Sequence, residues 1–159
     1  MSDPDVRAQA VNATMLRRAW AMGAGPRPGI LTIDPDATYV DTYGRRKEGS
    51  RFSHKGEVQM SPLDGVVGET GDVACIRTRR ARGGNASPRK KLASFVDEWV
   101  AAIPEPWRSS RQLWIRIDSA GCSRAVIDAI TARSAAFSIA CGNDKRVRAA
   151  IDEHPGDLL

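Results

Sequence analysis

Short aliphatic runs alternate along this chain with longer stretches in which apolar residues recur every three or four positions. Val6, Ala10, Met15, Leu16, Trp20 and Met22, with Arg7, Arg17 and Arg18 among them, predict a helix over 5–22. Gly23-Ala24-Gly25-Pro26-Arg27-Pro28-Gly29 ends it, because glycine and proline together cannot continue a helix. Ile30–Ile33 is a short aliphatic strand, and Tyr39-Val40-Asp41-Thr42-Tyr43 continues as extended chain. Residues 44–56 are polar, basic and glycine-punctuated, so a loop. Val58–Val67 and Val73–Thr78 flank Gly68-Glu69-Thr70-Gly71-Asp72 and predict a hairpin.

The second half changes period. Ser87-Pro88 is an N-cap followed by proline at the first helical position. Leu92, Phe95, Val96, Trp99, Val100 and Ile103 then share one helical face until Pro104 and Pro106. Leu113, Ile115 and Ile117 alternate on a strand that ends at Asp118. A helix over 123–133, a strand over 137–141 and a helix over 145–153 follow, the last with Val147, Ala150 and Ile151 as its apolar face. The order is β-β-β-α-β-α-β-α. It predicts an α/β fold with a mixed sheet: three antiparallel strands, then α/β alternation, as in a ribonuclease H-like domain whose first and fourth strands are neighbours. A three-layer fold with a parallel sheet also fits the later half. The expected division is a leader helix and Gly/Pro linker over 1–29, then one domain over 30–159.

Composition narrows the class. At 159 residues, 42% hydrophobic and 27% charged, the chain has the length and balance of one soluble domain. No run of about 18 apolar residues is present, so no membrane span is expected, and the acidic opening Met1-Ser2-Asp3-Pro4-Asp5 is not a secretory signal. A cytoplasmic location is the expectation. Cys75, Cys122 and Cys141 form no Cys-x-x-Cys pair, so buried thiols are expected rather than a disulfide framework or a zinc site. The net charge of +5 points toward a polyanionic partner. Its distribution sharpens this: Arg77, Arg79, Arg80, Arg82, Arg89, Lys90 and Lys91 are uninterrupted by acid, and Arg45, Arg46 and Lys47 form a second group. A phosphate-binding surface and a solvated basic loop are both open readings.

Two aspartate sites carry the candidate chemistry. Asp34-Pro35-Asp36-Ala37-Thr38 closes the first aliphatic strand, and Asp118-Ser119-Ala120-Gly121 closes the strand at 113–117. Carboxylates delivered by neighbouring strands can hold a hard divalent cation such as Mg2+. The structural alternatives are an Asp-Pro-Asp turn at the first site and a helix cap from Asp118 or Ser119 at the second. Serine nucleophile chemistry finds no Gly-x-Ser-x-Gly elbow, and there is no Gly-x-x-x-x-Gly-Lys phosphate loop.

These runs together resemble the group 1 DDE domain of bacterial insertion-sequence transposases. Leu31-Thr32-Ile33-Asp34-Pro35-Asp36-Ala37-Thr38 looks like that group's first-aspartate strand. Gly44-Arg45-Arg46-Lys47-Glu48-Gly49, then His54-Lys55-Gly56, resembles its Gly-Arg-x-Lys-Glu-Gly … Tyr-Lys-Gly segment. Ser61-Pro62-Leu63, Gly68-Glu69-Thr70-Gly71, Gly84-Asn85-Ala86 and Arg116-Ile117-Asp118-Ser119-Ala120-Gly121 match later motifs in order. The resemblance covers residues 15–153. It departs at His54, which replaces an aromatic, and at Pro35, which replaces an aliphatic.

The resemblance implies a ribonuclease H-like domain that binds Mg2+ and cuts and joins DNA at transposon ends, working in self-associated form at the nucleoid. Asp36 carries over as the first catalytic and metal-binding aspartate, from the recurring Asp-x-Thr pattern, with Asp34 as the fallback. Asp118 carries over as the second. Arg45, Arg46, Lys47 and Lys55 would contact the DNA backbone. The group's third acidic residue, a glutamate, has no evident counterpart, since Glu153 falls too early. The expectation is therefore an internal fragment, incomplete at the C-terminus and inactive alone. Two alternatives remain. One is a haloacid dehalogenase-type phosphatase, with Asp34 as nucleophile and Asp36 as acid/base in Asp34-x-Asp36-x-Thr38; the other is a non-catalytic DNA-binding remnant.

Overall fold

A computed structural model describes residues 4–43, 47, 50–52, 56–77, 92–142 and 145–153 of the chain. β1 (Ile30–Ala37) alternates as the pattern predicts, with Leu31, Ile33 and Pro35 buried and the residues between them facing the other way. It is the centre of a five-stranded sheet. β5 (Leu63–Val67) runs antiparallel on one side of it, followed by β6 (Val73–Arg77) at the edge. On the other side β7 (Gln112–Ile117) runs parallel to it, followed by β8 (Ala136–Ile139), also parallel. The first strand and the strand that ends at Asp118 are neighbours, as expected of the ribonuclease H-like order.

The β5–β6 hairpin turns where predicted, and Gly71 takes the positive φ (+73°) that the turn needs. Three short strands form a separate sheet in the order β2, β4, β3 that the sequence pattern does not reveal: β2 (Val40–Asp41), β3 (Arg51–Phe52) and β4 (Val58–Met60). Ser61-Pro62 separates β4 from β5, so the extended run 58–67 is divided between the two sheets.

One face of the large sheet is covered by helices. α2 (Leu92–Ala102) buries Leu92, Phe95, Val96 and Trp99, and Ile103 follows just beyond it. Its predicted cap at Ser87-Pro88 lies outside the described residues. α3 (Arg124–Thr131) forms the crossover that parallel β7 and β8 require, and buries Val126 and Ile130. Its cap is Ser123, in extended conformation, whose hydroxyl accepts the Val126 N–H at 3.4 Å. The alternative that Asp118 or Ser119 caps this helix is therefore not what is seen. α4 (Lys145–Glu153) buries none of its side chains; Val147 is half-buried and Ile151 exposed.

Gly65, on the helix-covered face of β5, shows how closely α2 packs. A Cβ there would lie 2.8 Å from Trp99 Cδ1. Gly65→Ala is expected to lower the unfolding free energy by about 1–3 kcal/mol, the usual cost of overpacking, as read from a urea titration. An unchanged midpoint would show that the ring has room to move.

α1 (Pro4–Ala19), the expected leader, lies against the sheet edge. The Asn12 side-chain amide donates to the carbonyls of Val73 (2.8 Å) and Ala74 (2.9 Å), and that of Gln9 to the carbonyl of Ile76. These bonds occupy carbonyls that an edge strand would otherwise expose. Leu16 and Trp20 enter the core, while Val6, Met15 and Met22 stay exposed. Gly23, at φ +99°, ends the helical path, and the Arg111 guanidinium holds the Gly/Pro stretch through the carbonyls of Pro26 (3.0 Å) and Arg27 (3.3 Å). Among the described residues no helix is long and apolar enough to cross a membrane.

Candidate active site

The site opens where β1 and β7 part. Their parallel pairing runs from Ile30–Gln112 to Ile33–Ile115 and no further. Pro35 follows, with no N–H to donate. The antiparallel pairing of β1 with β5 continues past it to Ala37–Leu63. Proline thus stops the ladder on one side of β1 only, and the strand goes on past Asp36 paired with β5 alone. The cleft between them is lined by Pro35, Asp36, Ala37, Tyr39, Leu63, Leu92, Ile117 and Asp118. Clefts at the carboxyl ends of parallel strands are the usual sites of α/β domains.

Asp118 is the first residue after β7. Its carbonyl accepts the Gly121 N–H at 3.0 Å and closes a 3-10 turn over Ser119–Gly121. Gly121 is required by space: a Cβ there would be 2.2 Å from Ile117 Cγ2 and 3.3 Å from Leu92 Cδ2. Asp36 is exposed, and its Oδ1 accepts the Ala37 N–H at 2.6 Å. So the two predicted aspartates, distant in sequence, meet at one cleft, in solvent-accessible positions.

Asp34 lies elsewhere. It shares a sheet face with Asp36 by alternation, but Arg116 on β7 takes both of its oxygens, Nε to Oδ1 at 2.7 Å and Nη2 to Oδ2 at 2.6 Å. The hydrogen bond to Asp34, and then its charge, raise the guanidinium above its ordinary pKa. A bidentate pair of this kind is geometrically specific. It joins the two strands that carry the site, and it engages both oxygens of Asp34.

Asp64 is a residue that sequence reasoning misses. It is the direct cross-strand partner of Asp36 in the β1–β5 register. Its Oδ2 accepts the Thr38 hydroxyl, and Thr38 N–H bonds the Pro62 carbonyl at 3.1 Å, so this pair fixes the end of β1. Asp64 Oδ1 is buried without a hydrogen-bond partner. Nothing in the local sequence signals this role, because it depends on register. Tyr39, exposed at the cleft, is likewise visible only from the fold. Among the described residues no group of three or more His, Cys, Asp or Glu side chains is placed to hold a metal ion.

Of the predicted phosphate-binding residues, Lys47 is exposed, and Arg45, Arg46 and Lys55 lie outside the described residues. So does the basic run except for Arg77. Arg77 pairs with Glu98, bonds Ser94, and sits 4.5 Å from the centre of the Phe95 ring. It clamps β6 to α2. Of the three thiols expected to be buried, only Cys75 is. Cys75 is buried, and burial, with the nearby charge of Glu98, pushes its pKa up to about 12. Cys122 is half-buried and Cys141 exposed, because both sit in connections at strand ends rather than under a helix.

A family model described as transposase DDE domain group 1 matches residues 2–158. No curated protein matches the chain in sequence. Among solved structures, a piggyBac transposase synaptic complex with hairpin DNA aligns at a TM-score of 0.55 and 14% identity, over 96% of this chain and 33% of that one. The catalytic domain of Mos1 mariner transposase aligns at a TM-score of 0.49 and 9% identity, over 99% and 74%. The first likeness establishes the shared fold. The chain spans a third of the length of the piggyBac chain.

Proposed function

The chain belongs to the family of group 1 transposase DDE domains, and on that premise we propose that its Asp36–Asp118 cleft is the metal-binding centre of a DNA-cleaving and strand-joining domain. The observation that carries this reading is the meeting of Asp36 and Asp118 at the diverging ends of adjacent parallel strands. Their donor set fits Mg2+, which takes one or two carboxylates and completes its octahedron with water and phosphate oxygens. When bound, the cation would supply charge neutralisation at the phosphodiester and an acidified water or 3′-hydroxyl. The chain's own contribution is to hold the two carboxylates. Asp118 is fixed by its turn, and Asp36 by the β1 end that Thr38 and Asp64 secure. Asp34 is assigned to the ion pair with Arg116.

DNA is the partner this reading requires. Lys47, with Arg45, Arg46 and Lys55 by sequence, would meet the phosphate backbone, where charge gives affinity rather than sequence reading. Transposon ends as substrate, and self-association across them, extend the same proposal. The resemblance also requires a third acidic residue. None joins Asp36 and Asp118 among the described residues, so this chain alone is expected to bind Mg2+ and DNA without cutting.

Fluorescence anisotropy with a labelled duplex, with and without Mg2+ and across salt, tests the reading. The expected result is salt-sensitive binding that Mg2+ strengthens by about tenfold, roughly 1.4 kcal/mol. Asp36→Asn and Asp118→Asn should each remove that increment, and Asp34→Asn should keep it. An increment that survives Asp118→Asn would sink the metal assignment. Binding indifferent to Mg2+ would favour the DNA-binding remnant. Mg2+-dependent plasmid nicking that disappears in Asp118→Ala would overturn the expected inactivity.

A further inference from the structure

We propose that Cys122 and Cys141 form a reversible intramolecular disulfide, a modification site that ties the Asp118 turn to the end of β8. Their sulfurs lie 2.9 Å apart, within about 1 Å of a disulfide bond length. The backbone around each is held in place. The Cys122 N–H donates to the Ser119 carbonyl at 3.3 Å, and Ser123 N–H to the Gly121 carbonyl at 2.8 Å. On the other side Ala140 N–H donates to the Ile117 carbonyl at 3.1 Å, so the residue before Cys141 is hydrogen-bonded to the residue before Asp118. Closing the bond needs only a small approach of two side chains on a braced frame.

Access separates this pair from the third thiol. Cys75 is buried, and desolvation keeps it protonated and unreactive. Cys141 is exposed and Cys122 half-buried, so a small-molecule disulfide of the glutathione class can reach Cys141 first. The Cys141 thiolate attacks one sulfur of that disulfide, forms a mixed disulfide and releases one small thiolate, which takes up a proton. The Cys122 thiolate then attacks the Cys141 sulfur and expels the second small thiol. Two protein thiols are oxidised and one small disulfide is reduced to two thiols. The product links the turn that carries Asp118 to β8 and limits the positions that Asp118 can take. This inference stands on the sulfur geometry and does not depend on the metal reading.

The test uses the full chain, equilibrated with oxidised glutathione, then denatured and alkylated. The chain has three cysteines. One alkylated thiol, at Cys75, and a Cys122–Cys141 linked peptide by mass spectrometry are expected; the reduced chain should give three alkylated thiols. Cys122→Ser should trap glutathione on Cys141, while Cys141→Ser should leave Cys122 mostly as thiol. The oxidised chain should melt about 5–10 °C higher than the reduced one. Three alkylatable thiols after oxidation, or a link that uses Cys75 or a second molecule, would overturn the site. An unchanged melting temperature would overturn the brace.

Discussion

Trp99→Ala is expected to bring the domain to the edge of unfolding. The indole is fully buried, packs edge-on to Phe95 at 4.9 Å between ring centres, and lies over the backbone at Gly65. Replacing a buried tryptophan with alanine removes the transfer free energy of the ring and leaves a cavity, together about 3–5 kcal/mol. A domain of this size has about 5–15 kcal/mol in total. The loss should appear as a large fall in urea midpoint and melting temperature by circular dichroism. Trp99→Phe separates packing from polarity. The indole N–H is buried without a hydrogen-bond partner, so phenylalanine loses ring area but also removes an unsatisfied donor. It should cost well under half as much as alanine. Equal costs for the two would mean that the second ring contributes most of the packing, and that the unpaired N–H carries no measurable penalty.

What the sequence reveals about this core follows from periodicity. Leu31 and Ile33, then Leu113, Ile115 and Ile117, alternate cleanly because one face of each strand is buried under helices. Phe95, Val96 and Trp99 mark the matching helix face. Periodicity is silent on what pairs with what. The apolar spacing of the first helix marks Leu16 and Trp20, which enter the core, but not Gln9 and Asn12, whose amides bond the carbonyls of the β6 edge. The β2, β4 and β3 strands are only two or three residues each, too short for alternation to register.

The candidate site divides the same way. That the two aspartate sites lie at the ends of neighbouring strands is legible from the aliphatic runs and the element order. Which aspartate of the first site faces Asp118 is not, because Asp34 and Asp36 have the same parity. Arg116 engages Asp34 while Asp36 lines the cleft with Asp118, a division of the two that local sequence does not encode. Asp64 and the Cys122–Cys141 contact are hidden for the same reason: each is a meeting of residues far apart in sequence.

Gly121→Ala is expected to damage the fold and the site together. No unusual backbone angle is involved. The added methyl would meet Ile117 Cγ2 at 2.2 Å and Ile117 Cβ at 3.1 Å, and Leu92 Cδ2 closes the third side at 3.3 Å. Ile117 is 5% exposed and β-branched, so its side chain has little rotameric freedom with which to yield. The turn must move instead, and the Asp118 carbonyl that accepts the Gly121 N–H moves with it. Overpacking of this kind costs about 1–3 kcal/mol, or a fall in melting temperature of roughly 2–12 °C. The Mg2+ increment in DNA binding should fall further than this stability loss accounts for, since the carboxylate is displaced in chains that remain folded. A double-mutant cycle with Ile117→Ala identifies the cause. Ile117→Ala alone should cost about 2–5 kcal/mol as a large-to-small core change. It also removes the methyl that Gly121→Ala would strike, so the second substitution should cost less in that background than in the native chain, a coupling of about 1 kcal/mol or more. Additive costs would show that the clash with Ile117 is not what keeps glycine at position 121.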